Sequence, residues 1–279
     1  MNRSLRIAII ACLSSGFATS VVATCSPDSV QVGPVCVDLF EASVWSIPAT
    51  NPGGNSNAGL IKKVQKGTVK LTDLTKGGAT QVSPAAGIPA GTQQGPCSAA
   101  TFPATFPPNG NWTLPLYAVS VAGVLPTTCA TWFQAAQACA LSGKRLLTNQ
   151  EWQLAAAGTP DTGLDDGVTD CNISTAGLPV DTGSRAKCRS NWGARDMVGN
   201  ANEWVADWVP RSTVLFLGWS GGFSDDGMGL AGASAAATGP GAMTRGGSWL
   251  EGTFAGVFKI DAGFNPSQGF DFIGLRCAR

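Results

Sequence analysis

One stretch near the middle of the chain carries side chains suited to holding an ion or a ligand. It runs from Asn191 to Trp208, reads NWGARDMVGNANEWVADW, and contains three of the nine tryptophans. Its apolar surface is interrupted by Asn200 and Glu203, whose oxygen atoms stand one helical turn apart. The same spacing is typical of a capping box, in which Asn200 caps a helical turn and Glu203 closes it. The residues alone leave both roles open.

Two shorter blocks echo this composition toward the C-terminus. Thr244 to Trp249 reads TRGGSW, and Ile273 to Cys277 reads IGLRC. Glycine allows backbones to approach closely, and tryptophan and aliphatic side chains fill the remaining space. We therefore expect the three blocks to meet in one core.

The overall composition excludes several classes of function. Histidine is absent from the 279 residues, which removes the usual general base and the commonest imidazole ligand for a metal. Ser-His-Asp and Cys-His catalysis are therefore excluded, as are zinc and iron sites built on histidine. The 18 basic and 18 acidic side chains balance, so we predict no nucleic-acid partner.

The N-terminus has the pattern of an export signal. A short basic region precedes a mostly apolar run from Ile7 to Val22. We predict that residues 1–23 are a signal peptide cleaved after Ala23, which would export the protein to the periplasm, the cell surface or the exterior. An uncleaved anchor helix is one alternative, but the apolar run is short and interrupted, and we expect no membrane span after cleavage. Lipidation of Cys25 is a second alternative, but Thr24 immediately before it fits a lipidation box poorly.

The cysteines fit export to an oxidising compartment. Removal of Cys12 with the signal leaves an even number, eight, which predicts four disulfides. The eight are Cys25, Cys36, Cys97, Cys129, Cys139, Cys171, Cys188 and Cys277. A bond from Cys25 to Cys36 would close a hairpin, and one from Cys171 to Cys188 would close a polar loop. No two of them have C-x-x-C spacing, which argues against a metal–thiolate site.

Two helices and several short strands are expected to position these residues. Thr128 is the expected N-cap of the first helix, and Gly143 is its expected end. Lys144 and Arg145 follow, where positive charge complements the C-terminal dipole. A capping box that begins at Thr148 starts the second helix. Strands are expected at Val35–Glu41, Leu116–Val124, Met243–Trp249, Gly256–Ile260 and Ile273–Cys277.

Two polar segments lack the pattern of a regular element. Residues 48–111 are rich in Gly, Pro, Ser, Thr and Asn, and predict an irregular insertion with one hairpin around Thr68 to Leu74. Disorder is the alternative, against which a bond from Cys97 to Cys129 would argue. Residues 161–189 are expected to form a solvated loop, because their acidic side chains lack the spacing of a helix-loop-helix calcium site.

Four motifs follow one another along the second half of the chain. They are WFQAAQACALSGKRLLTNQEWQLAAA from Trp132, DMVGNANEW from Asp196, RGGSW from Arg245 and GLRC from Gly274. Together they resemble the formylglycine-generating enzyme, or sulfatase-modifying factor, family. The resemblance implies an α+β, C-type-lectin-like fold of two helices on twisted antiparallel sheets with much irregular structure. It implies a single domain over residues 24–279 and a disulfide between Cys139 and Cys277.

The resemblance also implies chemistry for which this chain lacks the ligands. Enzymes of the family oxidise a sulfatase cysteine to formylglycine with copper and a pair of cysteines that follow the RGGSW-type motif. The matching positions here are Glu251 and Gly256, and a carboxylate and a glycine cannot replace soft thiolate ligands. The sulfoxide synthases of the same family bind iron through histidines, which are absent. We therefore expect neither copper nor iron, and we assign no catalytic residue.

Calcium is the one cofactor that the resemblance implies and for which this chain has suitable ligands. Asn200, Ala201 and Glu203 match a family calcium site in which side-chain and backbone oxygens bind the ion. Hard oxygen ligands are the type that calcium prefers. We predict one structural calcium ion there, with the capping box as the alternative.

Three classes of function remain. The predicted one is a non-catalytic binding or structural module of the cell envelope or exterior, whose partner is an unidentified protein, peptide or glycan. Candidate contact residues are Trp219, Phe223, the pair Asp225 and Asp226, and the segment Glu251 to Phe258. The alternatives are an oxidoreductase of unrecognised chemistry and an accessory subunit of an exported enzyme. A fold alone does not choose among these classes.

Overall fold

Mostly antiparallel sheets and short helices make up the chain, in the predicted α+β class. The computed structural model describes residues 24–82, 115–209, 217–218, 227–229, 240–267 and 269–279. The helices are α1 (Ala58–Gln65), α2 (Leu71–Lys76), α3 (Trp132–Leu141) and α4 (Asn149–Ala156). None of the helices in these described ranges is long and apolar enough to cross a membrane. The predicted signal peptide lies outside the described residues.

The strands form three sheets within the described residues. The first has the order β1 (Ser29–Val32), β2 (Val35–Asp38), β13 (Cys277–Ala278), β6 (Arg145–Leu146). The second has the order β4 (Thr80–Gln81), β3 (Ser43–Ser46), β5 (Leu116–Val119). The third has the order β12 (Ile273–Leu275), β7 (Asn202–Val209), β10 (Gly241–Gly246), β11 (Gly256–Phe264), β9 (Gly227–Gly229), β8 (Leu217–Gly218). Each of the five predicted strand segments overlaps a strand.

The three tryptophan- and glycine-rich blocks meet in the third sheet, as predicted. Strand β7 pairs antiparallel with β10, which places Arg245 opposite Glu203. On its other side β7 pairs parallel with β12, which places Gly274 opposite the same residue. Trp204 is fully buried beside Ile273 in the core that this arrangement creates. Pairing of two distant segments, β10 and β12, on either side of β7 therefore closes the fold.

Strand β11 carries a bulge that shapes one edge of the molecule. Arg245 faces Ile260 across the β10–β11 ladder, whereas the next residue, Gly246, faces Gly256. Between these two pairs the register advances by one residue on β10 and by four residues on β11. Extra residues of this kind bend a strand and turn its side chains away from the regular face of the sheet.

Capping residues set the starts of α3 and α4. The N-cap of α3 is Thr131, whose hydroxyl accepts a hydrogen bond from the Gln134 backbone N–H. The prediction of Thr128 as the N-cap was therefore wrong by three residues. Gln134, three positions after Thr131, accepts a hydrogen bond from the Thr131 N–H and completes the capping box. The N-cap of α4 is Thr148, as predicted, and Glu151 completes its capping box.

Lys144 has a different role from the one expected. Its ammonium is buried and contacts two carboxylates, at 2.7 Å from Asp28 and 2.5 Å from Asp38. Arg145 instead pairs with Glu151 at the surface. Lys144 therefore joins the strand β1–β2 region to the end of α3 rather than complementing an exposed dipole.

The first part of the predicted insertion is helical, and the expected hairpin around Thr68 to Leu74 is wrong. Leu60 and Val64, one turn apart on α1, and Leu74 on α2 are buried together. They pack on the second sheet, so tertiary contacts stabilise helices that composition alone disfavours. The Asn57 amide donates hydrogen bonds to the Pro48 and Gly77 carbonyls and ties the ends of this segment together. Residues 83–114 lie outside the described residues.

Three of the predicted disulfides are present. They join Cys25 to Cys36, Cys171 to Cys188, and Cys139 to Cys277. Cys129 is also disulfide-bonded, and its predicted partner Cys97 lies outside the described residues. The bond of Cys25 leaves that thiol unavailable for lipidation. The Cys139–Cys277 bond closes a loop of 138 residues, for which the chain-entropy model gives about 4–5 kcal/mol.

Candidate functional site

Where the three blocks meet, their polar side chains form a buried ionic network around Glu203 and Arg276. The guanidinium of Arg276 donates from Nε to Glu203 Oε1 at 2.9 Å and lies 2.7 Å away at Nη2. The other oxygen, Oε2, accepts a 2.6 Å hydrogen bond from Trp152 Nε1. Arg276 also donates to the carbonyls of Asp38 and Arg195. Both oxygens of Glu203 are thus held by protein donors.

Asn200 is held just as firmly, in a left-handed turn with φ of 59°. Its Oδ1 accepts from Asn172 Nδ2 at 3.1 Å and from the Val180 N–H at 2.8 Å. Its Nδ2 donates to Glu41, which also accepts from the Ala201 N–H at 2.9 Å. Asparagine tolerates positive φ better than most residues, so the turn suits this position. The capping-box alternative is wrong, because the chain continues from Asn200 into strand β7.

This arrangement of donors does not fit a calcium ion. The Asn200 carbonyl and both Glu203 oxygens face N–H groups, and one of the donors is the positively charged guanidinium of Arg276. Calcium instead needs a cage of six to eight oxygens. Among the described residues, no group of three or more Cys, Asp and Glu side chains could hold a metal ion. The resemblance therefore predicts calcium at Asn200, Ala201 and Glu203, whereas these contacts favour a metal-free network, and a chelation experiment distinguishes the two.

Three carboxyl groups share the one guanidinium of Arg276. Burial, followed by the charges of Asp196 and Glu203, raises the pKa of Glu41 well above its usual range. Burial also raises the pKa of Asp196 to about 6, against the effect of its hydrogen bond from the Gly183 N–H. Burial therefore makes Glu41 and Asp196 hold their protons to higher pH than exposed carboxyls do.

A second ionic cluster surrounds Glu251, which the resemblance aligns with one of the family's paired cysteines. Glu251 Oε1 accepts hydrogen bonds from Asn202 Nδ2 at 2.7 Å and from Ser248 Oγ at 3.2 Å. Its Oε2 lies 3.1 Å from Lys259 Nζ, whose side chain is only 1% exposed. Lys259 is also 3.5 Å from Asp261, and burial raises the pKa of that carboxyl. Glu251 is therefore held in place by two neutral donors and one ammonium.

Sequence reasoning missed Lys259 and Asp261. They stand two residues apart on β11, so they lie on one face of the strand. A lysine and an aspartate two residues apart in a mostly apolar strand could have indicated a buried ion pair. Gly256, the second position of the matching pair, begins β11 opposite Gly246 and contributes no side chain.

An open groove lies between α4 and the bulge of β11, next to this cluster. Its volume is about 760 Å³, and its main walls are Asn149, Gln150, Gln153, Leu154, Val257 and Phe258. Gln153 Nε2 and Arg245 Nη2 both donate to the Val257 carbonyl at 3.1 Å. The Val257 N–H donates to Asp161 Oδ2 at 3.0 Å. We call this the α4–β11 groove.

The remaining candidate contact residues divide between the described ranges and the rest of the chain. Trp219, Phe223, Asp225 and Asp226 lie outside the described residues. Within the segment Glu251 to Phe258, Phe254 is 43% exposed, and Phe258 lines the groove.

The acidic loop at residues 161–189 uses the carboxylate of Asp165 within the loop itself. Asp165 Oδ2 accepts from the backbone N–H groups of Ile173, Ser174 and Thr175 at 2.9–3.1 Å. These bonds hold the pKa of Asp165 below its usual range despite its burial. The Cys171–Cys188 disulfide closes the same loop, as predicted.

Comparison with solved structures finds similar but distant proteins. A variant of the major tropism determinant, I1, matches with 23% identity and a TM-score of 0.37, and the match covers 53% of this chain and 37% of that one. PvdO from Pseudomonas aeruginosa matches with 22% identity and a TM-score of 0.34, over 56% of this chain and 62% of that one. CarF matches with 19% identity and a TM-score of 0.34, over 56% and 68% of the two chains.

Comparison by sequence identifies the family. No curated protein matches the chain. The family model of the sulfatase-modifying factor enzyme 1-like domain matches residues 115–279, which is more than half of the chain and includes all four motifs. The protein therefore belongs to the sulfatase-modifying factor enzyme 1-like family and has its α+β, C-type-lectin-like fold.

Proposed function

We propose that this protein is an exported, non-catalytic binding module of its family. The observation that carries the proposal is the state of Glu251, which stands at a position matching a catalytic cysteine. Its carboxylate accepts from Asn202 and Ser248 and pairs with the buried ammonium of Lys259. A carboxylate neutralised in this way supports the loop that bears it rather than reacting.

The family's copper chemistry has no ligands at this place. Copper(I) is held by soft thiolates, and the residues from Leu250 to Val257 include no cysteine. The cysteines at Cys25, Cys36, Cys139, Cys171, Cys188 and Cys277 are in disulfides. Disulfide sulfurs do not serve as thiolate ligands.

Export is supported by two independent features. The first 23 residues have the basic and apolar regions of a signal peptide. Disulfides persist in oxidising compartments, and the described residues contain three complete ones. Both features favour a mature protein that acts in the periplasm, at the cell surface or outside the cell.

A ligand surface is supported by the α4–β11 groove. Its volume of about 760 Å³ lies within the range of about 300–1,000 Å³ that is usual for small-molecule sites. It adjoins the exposed segment after Glu251, where loop variation changes function without changing the scaffold.

An oxidation assay tests the absence of catalysis. The mature protein would be loaded with copper(I) and incubated with a cysteine peptide of the sulfatase type, while oxygen uptake and formylglycine formation are measured. We expect no turnover above a metal-free control. Copper-dependent conversion of the peptide would overturn the proposal and support the oxidoreductase alternative.

N-terminal sequencing of the exported protein tests its location. We expect the mature chain to begin at Thr24 and to leave the cytoplasm. A chain that retains Met1 in the cytoplasmic fraction would contradict the export part of the proposal.

A further inference from the structure

We propose that the α4–β11 groove binds an uncharged glycan chain. The inference rests on the proposed function as a binding module and names the class of its ligand. Three properties of the groove carry it: the absence of ionisable side chains from its walls, the pairing of amides with an apolar surface, and the state of the Val257 backbone.

Among the residues that the structure describes, the walls of the groove carry no ionisable side chain. Three charged side chains contact these walls, and each is already bonded there: Arg245 to Gln153, Asp161 to the Val257 N–H and Asp207 to the Asn149 N–H. Arg245 also lies 4.6 Å over the Trp152 ring. A charged ligand would lose its hydration here without gaining a partner of opposite charge. The groove therefore favours an uncharged ligand.

The polar and apolar walls match the two faces of a sugar ring. Gln150 presents an exposed amide, which both donates and accepts as sugar hydroxyls do, and Asn149 also lines this wall although its Oδ1 is buried. Leu154, Val257 and Phe258 form an apolar wall for the C–H face of a ring. Leu154 is 42% exposed although it belongs to a helix that packs on the core, so this wall is available to a ligand.

The backbone at the bulge argues against an extended peptide. A peptide that adds to a strand needs free N–H and carbonyl groups along the edge. At Val257 the N–H already donates to Asp161, and the carbonyl already accepts from Gln153 and Arg245. An acyl chain fits no better, because it would leave the amides of Asn149 and Gln150 facing hydrocarbon.

The same bonds make the groove rigid before a ligand arrives. The hydrogen bond from Gln153 to the Val257 carbonyl joins α4 to β11. Arg245 donates to the same carbonyl and to the side chain of Gln153. A site whose supporting side chains are already held loses little conformational entropy on binding. This suits recognition of a flexible oligosaccharide, which itself loses entropy when bound.

A binding measurement on the mature protein tests the inference. Uncharged tetrasaccharides of glucose, mannose, galactose and N-acetylglucosamine would be compared with a uronic-acid tetrasaccharide and an uncharged peptide by calorimetry and saturation-transfer NMR. We expect at least one uncharged sugar to bind, and the charged sugar to bind at least tenfold more weakly. Phe258→Ala should weaken binding about tenfold, because an aromatic contact of this kind is lost.

Matched variants locate the binding. Leu154→Ala should weaken binding, whereas Leu141→Ala should not, because Leu141 is a similarly exposed leucine, at 38%, on α3. Circular dichroism of each variant establishes that it is folded. Absence of binding to all four sugars, binding that Phe258→Ala and Leu154→Ala leave unchanged, or preferential binding of the peptide would each overturn the inference. The oxidation assay on the same preparation separates these outcomes from failure of the proposed function.

Discussion

Two carboxylates in this protein are each paired with a buried cation, yet their surroundings differ. Glu203 and Arg276 lie at the centre of the fold, with side-chain exposures of 2% and 0%. Glu251 and Lys259 lie at its margin, where the carboxylate side chain keeps 12% exposure. The first pair connects three distant segments through backbone and indole contacts, whereas the second holds one turn beside an open groove.

The difference separates what maintains the family fold from what performs family chemistry. Arg276 and Glu203 belong to the GLRC and DMVGNANEW motifs by which the family is identified, and their network joins three sheet strands. Glu251 and Gly256 stand where the family resemblance predicts cysteines, and Glu251 forms an ion pair with Lys259 there. The central pair therefore supports the scaffold, whereas the marginal pair lies where the resemblance predicts chemistry.

The largest expected effect comes from removing the central cation. Arg276→Met would leave Glu203, Glu41 and Asp196 buried without a compensating charge, which costs about 3–5 kcal/mol. Urea unfolding should show this as a lower midpoint. As a control, Arg145→Met, which breaks an exposed pair with Glu151, should cost less than about 1 kcal/mol. Equal midpoints for the two variants would remove the distinction between centre and surface.

A smaller loss is expected at the marginal pair. Lys259→Met should destabilise the protein by about 1–2 kcal/mol, because Glu251 and Asp261 each retain 12% side-chain exposure and can be partly solvated. The same unfolding assay measures it. A loss of unfolding free energy as large as that of Arg276→Met would show that both ion pairs stabilise the fold equally.

Stability should also decrease between pH 5 and pH 7.5. A carboxyl whose pKa is raised by folding adds stability below its unfolded pKa of about 4 and loses it as the pH rises through the folded pKa. Asp196 and Asp38 have folded pKa values of about 6, and that of Glu41 is higher than usual. We expect Tm to fall by a few degrees, since 1 kcal/mol corresponds to about 2–4 °C.

Two variants test whether this pH dependence comes from the buried network around Arg276. Asp196→Asn should flatten the slope, because the amide does not titrate. Asp166→Asn should leave the slope unchanged, because hydrogen bonds lower the pKa of Asp166 and its titration falls below this window. A Tm that rises from pH 5 to pH 7.5 would contradict the assignment.

Chelation should have the smallest effect. Because the oxygens of Glu203 face Arg276 and Trp152, we expect EGTA to change Tm by less than about 1 °C. A bound calcium ion would instead add about 2.7 kcal/mol at a hundredfold excess over its Kd. A fall of several degrees that Glu203→Gln abolishes would establish the site that the family resemblance predicts.

Much of this architecture is readable from local patterns. The capping box at Thr148, the strand segments and the pairing of the three blocks follow from spacing and composition, and the structure confirms them. The prediction of Thr128 as the N-cap was wrong because hydroxyl side chains are common before helices. Only the reciprocal hydrogen bonds between Thr131 and Gln134 identify Thr131 as the N-cap. Helices α1 and α2 were missed because Leu60, Val64 and Leu74 become buried only when the second sheet lies against them.

The sequence by itself carried the motifs of the family, and it shows that histidine is absent and that no cysteine lies between Leu250 and Val257. These are properties of residue identity and order, which need no coordinates. Only the tertiary structure decided that Glu203 faces Arg276, that Glu251 faces Lys259, and that α4 and the β11 bulge enclose a groove. The physical reason is that ion pairs and grooves form between residues far apart in the chain, where the balance of desolvation and charge depends on what packs around them.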